Sequence, residues 1–497
     1  MSEYTENEPK DLRQAPDNKA GMPFLIIFLA VAIVAVLSIF PWGNLTGNYL
    51  KDYSLLADLF PNSVKAAAEE LIDPELKAAL EEGDTEGADD IIIAPAQYSG
   101  NNDNVSSSQS KISESTAITV EMPTSDQMKP RQNGRHGDKV LIEDYTVGGI
   151  GLSHLRSALA NSSSPARIAV IGDSYIEGDI LTMDLRANLQ NIYGGSGVGY
   201  VPLQSELTGF RVSVSEKCSG WTTHDIRKKA NDAYKWLAGE YFVSENNAST
   251  KFSGTSRLPH LSSWNSTKFL FISPKDAQIT VTAAGNSKTF NISGSPDVQC
   301  ISVPGNTLSA SVSTSTPGVV ALGMFLDGNS GVAVDCMSLR GNSGISHRKL
   351  STTLATQMRK YIDYDLIIVE YGINALSSQQ TNYSGYKKLM YNVIARLKAC
   401  YPNADILIMG IGDRGQKVGT NIKSIPTAQN MVDTQRDLAR ETGVLFWDTR
   451  EAMGGEDAIV DWRSRSLVNP DYIHLNAKGG KVLGAYLADA IRNALNR

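Results

Sequence analysis

The chain has 497 residues and a formal net charge of -7 at pH 7. That length exceeds what one hydrophobic core usually fills, so we expect two folded units plus linkers. No dense run of Lys or Arg occurs. Phosphate contacts need clustered basic side chains, so the sequence argues against a nucleic-acid partner.

An uncharged apolar run, MPFLIIFLAVAIVAVLSIF, occupies residues 22–40. As a helix it would span roughly 28 Å, about the thickness of the hydrocarbon core of a bilayer, so it predicts one transmembrane helix. Basic residues are more frequent before the run than just after it, which predicts a cytoplasmic tail at residues 1–21. A cleaved signal peptide is the alternative, but no small-x-small site follows Phe40. We therefore predict a single-pass protein of the inner (cytoplasmic) membrane whose main body is periplasmic or extracellular.

Residues 41–135 change composition along their length. The first part contains helix-forming stretches such as SVKAAAEELIDPELKAALEE, and the second part is polar and rich in Ser and Asn. A polar segment of that kind buries too little apolar surface to offset the entropy of ordering it. The region is predicted to be a stalk and disordered linker.

From residue 136 onward, short apolar runs alternate with segments of helical periodicity. The runs predict strands at 167–171, 332–337, 366–370, 405–409 and 444–447, and the periodicity predicts helices at 178–193, 350–362, 386–400, 428–441 and 477–495. Strands that are apolar on both faces and alternate with helices indicate a three-layer α/β/α domain around a parallel sheet. We assign residues 136–204 and 331–497 to this domain, whose ligands should bind at the carboxyl ends of the strands.

Residues 205–330 do not show this alternation of strands and helices. Runs such as QITVTAAG, KTFNIS and TLSASVST alternate apolar and polar residues with period two, which is typical of antiparallel strands. The segment is therefore predicted to be a β-rich domain inserted into the α/β domain.

The four cysteines would face an oxidising compartment in this topology, where disulfides can form. Sequence cannot choose among the pairings of Cys218, Cys300, Cys336 and Cys400, and buried free thiols fit the last two at least as well.

No C-x-x-C occurs and the six histidines are scattered, so no metal site is predicted. The glycine-rich stretch GIGDRG is followed by no apolar helix, so no dinucleotide cofactor is predicted either.

Ser174 follows the predicted strand at 167–171. It could cap a helix N-terminus, which is a common role for serine. It could instead be a nucleophile at the carboxyl end of a strand, held at a helix N-terminus whose N–H groups stabilise an oxyanion. A nearby base is needed to choose between these two interpretations.

His474 lies just before the last predicted helix, three residues after Asp471. That spacing can bring the carboxylate to one ring nitrogen, so that the other nitrogen accepts a proton from serine. The alternative is a plain loop in which Asn476 caps the helix.

Gly341 and Asn374 each follow a predicted strand, so both should lie at the same edge of the sheet as Ser174. A glycine N–H and an asparagine amide are neutral donors suited to an oxyanion hole, although turn chemistry explains either residue alone.

The combined order of these blocks resembles the SGNH hydrolase family, also called GDSL esterases. Its four blocks match Gly172-Asp173-Ser174, Gly341, Gly372-Ile373-Asn374 and Asp471-Tyr472-Ile473-His474. The resemblance implies a carboxylic ester hydrolase without metal or cofactor, with Ser174, His474 and Asp471 as catalytic residues. It also implies an oxyanion hole formed by Ser174, Gly341 and Asn374. Ala375 departs from the acid that often follows the asparagine in that family.

The position of the β-rich insertion resembles the extracytoplasmic peptidoglycan O-acetylesterases of that family, whose inserted module is similar to a jelly-roll-like carbohydrate-binding domain. This implies an acetylated polysaccharide as the substrate, with Trp221, Trp236 and Trp264 either stacking on sugar rings or packing in a core. A glycan O-acetyltransferase and a non-catalytic glycan-binding envelope protein are the alternatives. The sequence leaves the oligomeric state open.

Overall fold

The computed structural model describes residues 72–82, 139–161, 163–205, 211–228 and 230–497. These residues lie in one compact unit, Leu71–Arg497. None of the helices formed by them is long and apolar enough to cross a membrane. The predicted transmembrane helix at residues 22–40 lies outside the described residues, as does the predicted tail at residues 1–21.

The regular elements are numbered here in chain order. The helices of the described residues are α1 (Pro74–Glu82), α2 (Ser153–Ala160), α3 (Thr182–Tyr193), α4 (Thr352–Met358), α5 (Ser384–Cys400), α6 (Ala428–Thr442), α7 (Thr449–Met453), α8 (Ala458–Ser464) and α9 (Ala477–Leu495). The strands are β1 (Glu143–Asp144), β2 (Ala166–Gly172), β3 (Gly199–Val201), β4 (Ser215–Asp225), β5 (Glu240–Ser253), β6 (Trp264–Ser273), β7 (Ala277–Ala283), β8 (Asn286–Ile292), β9 (Ser295–Thr307), β10 (Ser309–Thr314), β11 (Val320–Asp327), β12 (Val332–Ser338), β13 (Leu366–Glu370), β14 (Asp405–Met409), β15 (Gly415–Val418), β16 (Asn421–Ser424) and β17 (Leu445–Trp447).

A six-stranded sheet forms the centre of the α/β domain, in the order β1-β17-β14-β13-β2-β12. The five strands from β17 to β12 pair in parallel, and the predicted parallel sheet is confirmed for them. The edge strand β1 pairs with β17 in the antiparallel sense. It was not predicted, because its two residues are too few to produce a periodic pattern.

Successive residues of β2 face opposite layers of helices, as the period of a strand requires. Ile168 and Val170 pack in one core with residues of α2, α3 and α9. Ala169 and Ile171 pack in another core with residues of α4, α5 and α6. The predicted three-layer arrangement is therefore confirmed.

The predicted β-rich insertion is also confirmed. Its main sheet runs in the order β8-β7-β10-β5-β11-β6-β9, with β3 paired to β11 and β4 paired to β5, and every pairing is antiparallel. The sheet begins at Gly199, a few residues before the predicted boundary at residue 205. Trp221, Trp236 and Trp264 are each 3% exposed or less, so they are core aromatics and cannot stack on sugar rings.

A buried ionic cluster joins the insertion to the α/β sheet. Arg167 at the start of β2 donates to both carboxylate oxygens of Asp335 in β12, at 2.9 Å each, and it also contacts Asp327 at the end of β11. Asp335 further accepts hydrogen bonds from the hydroxyl of Tyr364 and from the backbone N–H of Tyr200. Because a buried charge is costly unless it is paired, this cluster fixes the position of the insertion relative to the α/β sheet.

The helix α1 lies within the segment that was predicted to be a stalk. Its side chains Leu76 and Ala79 are buried in the core that contains α5. At least this short part of residues 41–135 therefore packs on the α/β domain.

All four cysteines lie among the described residues and have free thiols. Cys336 and Cys400 are buried, and Cys218 and Cys300 are half-buried.

The stability of this fold should depend on pH through His347. This side chain is 1% exposed, and its Nε2–H donates to the carbonyl of Leu237 at 3.0 Å. Burial lowers the pKa of His347 to about 4, below its ordinary value near 6.5. Between these two pH values the unfolded chain binds a proton that the folded chain does not, so stability falls as pH falls. We expect the buried imidazole to lose about 2–3 kcal/mol of its contribution to the free energy of unfolding between pH 7 and pH 4.5.

This expectation can be measured with the variant His347→Gln, whose amide can still donate to Leu237. The difference between wild type and variant in the free energy of urea unfolding should shrink by that amount from pH 7 to pH 4.5. The comparison between the two proteins removes the contribution of all other titrating groups. A difference that stays constant over this range would contradict the expectation.

Candidate active site

Three neighbouring strands deliver the predicted site residues to one edge of the sheet. Gly172, the last residue of β2, pairs with Ser338 at the end of β12 and with Glu370 at the end of β13. The residues that follow these strand ends therefore emerge at the same carboxyl edge. Ser174, Gly341 and Asn374 follow them by two to four residues.

Ser174 lies in a turn rather than at the start of an α-helix. The helix α3 begins only at Thr182, because Gly178 and Asp179 adopt φ angles of 67° and 69°, which a right-handed helix cannot contain. The two expectations that Ser174 caps a helix or is held at a helix N-terminus are therefore wrong. Its side chain is free to interact elsewhere, and the residue is 8% exposed.

The hydroxyl of Ser174 contacts His474. The distance from Ser174 Oγ to His474 Nε2 is 2.9 Å, and the distance from His474 Nδ1 to Asp471 Oδ2 is 2.8 Å. A carboxylate only accepts, so Nδ1 carries the proton and Nε2 accepts the hydrogen of the serine hydroxyl. The structure thus brings Ser174, His474 and Asp471 together in a hydrogen-bonded chain that can accept a proton from the serine.

Asp471 is fixed by its own loop. Its Oδ1 accepts the backbone N–H groups of Ile473 and His474, at 2.9 and 3.0 Å. Partial burial acts to raise the pKa of Asp471, but hydrogen bonds and the charge of His474 outweigh it and hold the pKa below its ordinary value. Asp471 is therefore ionised at neutral pH and can stabilise a protonated His474. Asn476 caps α9 in addition, through its Oδ1 and the N–H of Lys478.

Two backbone N–H groups at this edge of the sheet are candidate donors for an oxyanion. Within the described part of the chain, neither the N–H of Ser174 nor the N–H of Gly341 donates to a protein acceptor. Gly341 has a φ of 74°, a backbone conformation that is unfavourable for residues with a Cβ atom. The backbone conformation therefore favours glycine at this position, independently of any role of its N–H in binding an oxyanion.

Asn374 is fully buried, and its amide is held by two acceptors. Its Nδ2 donates to Asp173 Oδ2 at 2.7 Å and to the carbonyl of Asn342 at 3.2 Å. The second bond links the turn of Asn374 to the loop of Gly341. An oxyanion can take the place of the longer of these bonds and keep the amide anchored on Asp173.

A buried pair of carboxyl groups, Asp173 and Glu370, lies under the site and was not predicted. The backbone N–H of Asp173 donates to Glu370 Oε2 at 3.3 Å, and both residues are 1% exposed or less. Burial raises the pKa of Asp173 above its ordinary value. Burial and the neighbouring Asp173 hold the pKa of Glu370 well above its ordinary value. The signal for this pair was the glutamate that ends the apolar run LIIVE, an unusual residue in a buried strand.

The stretch GIGDRG lies at the same edge and connects two parts of the site. Arg414 Nη1 donates to the carbonyls of Ile373 and Leu376, at 3.4 and 3.3 Å. The N–H of Gly415 donates to the carbonyl of Tyr472 at 2.9 Å. This loop therefore supports both the turn of Asn374 and the loop of His474, which is a structural role.

One protein-family model matches part of the chain. Residues 322–482 match the model of the GDSL-like Lipase/Acylhydrolase family. This part of the chain is a GDSL-like acylhydrolase domain. The predicted resemblance and the predicted class of enzyme, an ester hydrolase, are thereby confirmed.

Two solved structures resemble this chain to different degrees, and the first of them shares its fold. One is described as "Peptidoglycan O-acetylesterase in action, 5 min"; it has a TM-score of 0.59 and 21% identity, and the alignment covers 71% of this chain and 99% of that one. Another is a family two carbohydrate esterase from Cellvibrio japonicus, with a TM-score of 0.25, 10% identity and coverage of 57% and 98%. A search of curated proteins finds no match.

The match to the acylhydrolase family includes Gly341, Asn374, Asp471 and His474, and it begins after Ser174. Ser174 joins this group through its position in space, at 2.9 Å from His474. Among the described residues, no group of three or more His, Cys, Asp or Glu side chains could hold a metal ion.

Asp471→Ala in the acylhydrolase domain is expected to lower kcat on the order of 10²- to 10⁴-fold. The variant removes the carboxylate that orients His474 and stabilises its protonated form. The loss should lie toward the lower end of this range because the Asp471 side chain is 41% exposed, so water can partly replace it. Steady-state kinetics on a small acetyl ester measures the change. Asp461→Ala, which removes another exposed aspartate, should leave kcat unchanged, and equal losses in both variants would contradict the role of Asp471.

Proposed function

We propose that this protein is a membrane-anchored, extracytoplasmic serine esterase that removes O-acetyl groups from a polysaccharide, in particular peptidoglycan. The observation that carries the catalytic part of this proposal is the chain of hydrogen bonds from Ser174 Oγ through His474 to Asp471, with distances of 2.9 and 2.8 Å. A serine hydroxyl is a weak nucleophile until an adjacent base accepts its proton, and this geometry supplies that base.

In the first half of the reaction, Ser174 Oγ attacks the ester carbonyl while its proton moves to His474 Nε2. The carbonyl oxygen becomes an oxyanion, which accepts hydrogen bonds from the N–H groups of Ser174 and Gly341 and from the amide of Asn374. Collapse of this intermediate breaks the ester bond. His474 gives its proton to the leaving sugar hydroxyl, and the acetyl group remains on Ser174.

In the second half, water replaces the sugar. His474 Nε2 accepts a proton from the water, which attacks the acetyl carbonyl, and the same three donors stabilise the second oxyanion. Collapse of this intermediate breaks the bond between the acetyl carbon and Ser174 Oγ, and His474 returns the proton to Ser174 Oγ. Acetic acid leaves and loses its own proton to water. Asp471 remains ionised in both halves and stabilises the protonated imidazole.

Access of water favours hydrolysis over acetyl transfer. The side chains of His474 and Asp471 are 22% and 41% exposed, so solvent can reach the base directly. A transferase must keep water away from its acyl-enzyme, and this geometry offers little protection on the side of the histidine.

Two observations support an acetylated polysaccharide as the substrate. The fold resembles that of a structure described as a peptidoglycan O-acetylesterase. The insertion also carries a groove of about 310 Å³, which is lined by hydroxyl and amide side chains from several strands. A continuous row of hydroxyl side chains crosses five neighbouring strands, β8, β7, β10, β5 and β4. Its members are Thr289, Thr280, Ser313, Ser249 and Ser219. Such a surface can exchange hydrogen bonds with sugar hydroxyls.

The location of the protein is part of the same proposal. The apolar run at residues 22–40 would anchor the chain, and the greater number of basic residues before it would keep the N-terminus in the cytoplasm. The acylhydrolase domain would then face the cell wall. Membrane fractionation of cells, followed by protease treatment of intact cells or spheroplasts, tests this placement.

The activity is tested with the full-length protein in detergent. Acetate release is measured from O-acetylated peptidoglycan and from a long-chain lipid ester, with the variant Ser174→Ala assayed alongside. Release that depends on Ser174 from the glycan supports the proposal. If the folded protein releases nothing from the glycan and the serine is not labelled by a fluorophosphonate, a binding role becomes the better explanation. If it labels but transfers acetate to an added glycan instead of to water, it is a transferase.

A further inference from the structure

The segment at residues 72–82 is remote from the catalytic residues in sequence, yet it contacts both loops that carry oxyanion donors. The backbone N–H of Asp73 donates to the carbonyl of Asn374 at 3.0 Å. Asp73 Oδ2 accepts two hydrogen bonds from Ser343, from its N–H at 2.8 Å and from its hydroxyl at 2.6 Å. Ser343 lies two residues after Gly341. One residue therefore bridges the turn of Asn374 and the loop of Gly341.

The same aspartate begins the helix α1. Its Oδ1 accepts the N–H of Glu75 at 2.9 Å, and Pro74 occupies the first helical position, where its missing N–H costs nothing. Asp73 is 3% exposed. Its two carboxylate oxygens thus have separate partners, one in α1 and one in the loop of Gly341.

The helix α1 is anchored by side chains other than Asp73. Leu76 and Ala79 are buried in the core of the α/β domain, and Glu75 forms an ion pair of 3.1 Å with Arg348. The side chain of Arg348 is 1% exposed. These contacts hold the helix in place independently of the bridge, so a change at Asp73 can be studied without detaching α1.

We propose that residues 72–82 form a strap that clamps the oxyanion site, and that Asp73 is a positioning residue for the donors at Gly341 and Asn374. This inference rests on the proposed esterase function. The strap comes from the part of the chain between the apolar run at residues 22–40 and the catalytic domain. Part of the polypeptide that precedes the catalytic domain thereby contributes to the geometry of the active site.

The physical reason is the complete burial of Ser343. Its N–H and hydroxyl have Asp73 as their acceptor, and both would lose it if the carboxylate were removed. The loop must then shift or admit water to satisfy these donors. Oxyanion donors act mainly on the transition state, so a small displacement lowers kcat more than it changes KM.

The test compares Asp73→Ala, Asp73→Asn and Ser351→Ala in the full-length protein, with 4-nitrophenyl acetate as a small substrate. Ser351→Ala is the matched control because Ser351 is the N-cap of α4, and its Oγ accepts the N–H of Leu354. The substitution therefore removes a helix cap, as Asp73→Ala does, but it changes neither oxyanion loop. We expect Asp73→Ala to lower kcat about 10- to 100-fold, with KM changed by no more than about twofold. Asp73→Asn should lose less, because its amide oxygen can still accept a hydrogen bond from Ser343.

Hydrogen exchange provides a second readout that does not depend on activity. Asp73→Ala should speed exchange of the backbone amides at residues 341–346, and Ser351→Ala should not. Wild-type kcat together with wild-type exchange in Asp73→Ala would overturn the strap, as would equal losses of kcat in Asp73→Ala and Ser351→Ala. If the wild-type protein hydrolyses no ester, the proposed function fails, and the exchange measurement alone decides whether Asp73 holds the loop.

Discussion

Ser174→Ala is expected to lower kcat by on the order of 10⁴-fold or more. The variant removes the atom that the site positions to attack, the Oγ at 2.9 Å from His474 Nε2. The oxyanion donors remain, so a small residual rate above that in water is compatible with the mechanism. The fold should be unaffected, because Ser174 neither caps a helix nor lies in a strand.

The measurement is steady-state hydrolysis of a small acetyl ester, combined with fluorophosphonate labelling of the wild-type protein and the variant. Ser157→Ala serves as the control, since its exposed hydroxyl donates to the carbonyl of Ser153 within α2 and Ser157 is remote in sequence from the site. Wild type and control should label at the same rate, and Ser174→Ala should not label. A variant that retains more than a few per cent of the wild-type rate would show that another nucleophile carries the reaction.

Asn374→Ala is expected to lower kcat by about 10²- to 10³-fold, with KM little changed. The amide is fully buried at the carboxyl edge of the sheet, where a hydrogen bond to a developing charge is stronger than it is in water. The variant should also lose some stability, because Asp173 loses the donor that lies at 2.7 Å.

Kinetics and stability must therefore be measured together. Asn188→Ala is a suitable control, because its side-chain amide bonds to the carbonyl of Asp184 within α3 and has no contact with the site. If Asn374→Ala is folded at the assay temperature and keeps a kcat within about threefold of wild type, Asn374 is not an oxyanion donor. The amide would then serve only to hold Asp173 and the loop of Gly341.

Much of the sheet could be predicted because its strands are buried on both faces. The five parallel strands appear in the sequence as short apolar runs, and the residues after β2, β12 and β13 could be assigned to one edge from that alone. The Asp471 and His474 pair could also be predicted, since three residues in a tight loop suffice to join a carboxylate to a ring nitrogen.

Features that depend on tertiary contacts could not be predicted in the same way. The helix α3 begins at Thr182 and not at the predicted residue 178, because the positive φ angles of Gly178 and Asp179 are set by the turn and leave no periodic signal. The pairing of Asp173 with Glu370 joins residues that are distant in sequence.

The docking of α1 was missed for a related reason. Its first residues, Asp73 and Pro74, are a recognisable helix start. Nothing local, however, shows that the other oxygen of Asp73 is needed by Ser343. The surrounding composition favoured a stalk, and only the packed domain reveals the partner.

The β insertion has a consequence for the order in which the chain folds. The nucleophile strand β2 lies between β12 and β13, both of which are made only after the entire insertion has been synthesised. Closing such a long loop in a flexible chain costs conformational entropy and slows the search for the correct pairing.

Hydrogen bonds join the two ends of the insertion. β3 pairs with β11, the N–H of Gly328 donates to the carbonyl of Ser196, and the N–H of Val332 donates to the carbonyl of Gly194. The insertion also has its own hydrophobic core, which includes Phe242 and Phe271. Once the insertion has folded, the chain that separates β2 from β12 shortens in effect to residues 173–194 and the short link from β11 to β12. The inserted domain would thus nucleate assembly of the central sheet, and damage to its core would delay maturation of the enzyme even where no residue of the catalytic edge is altered.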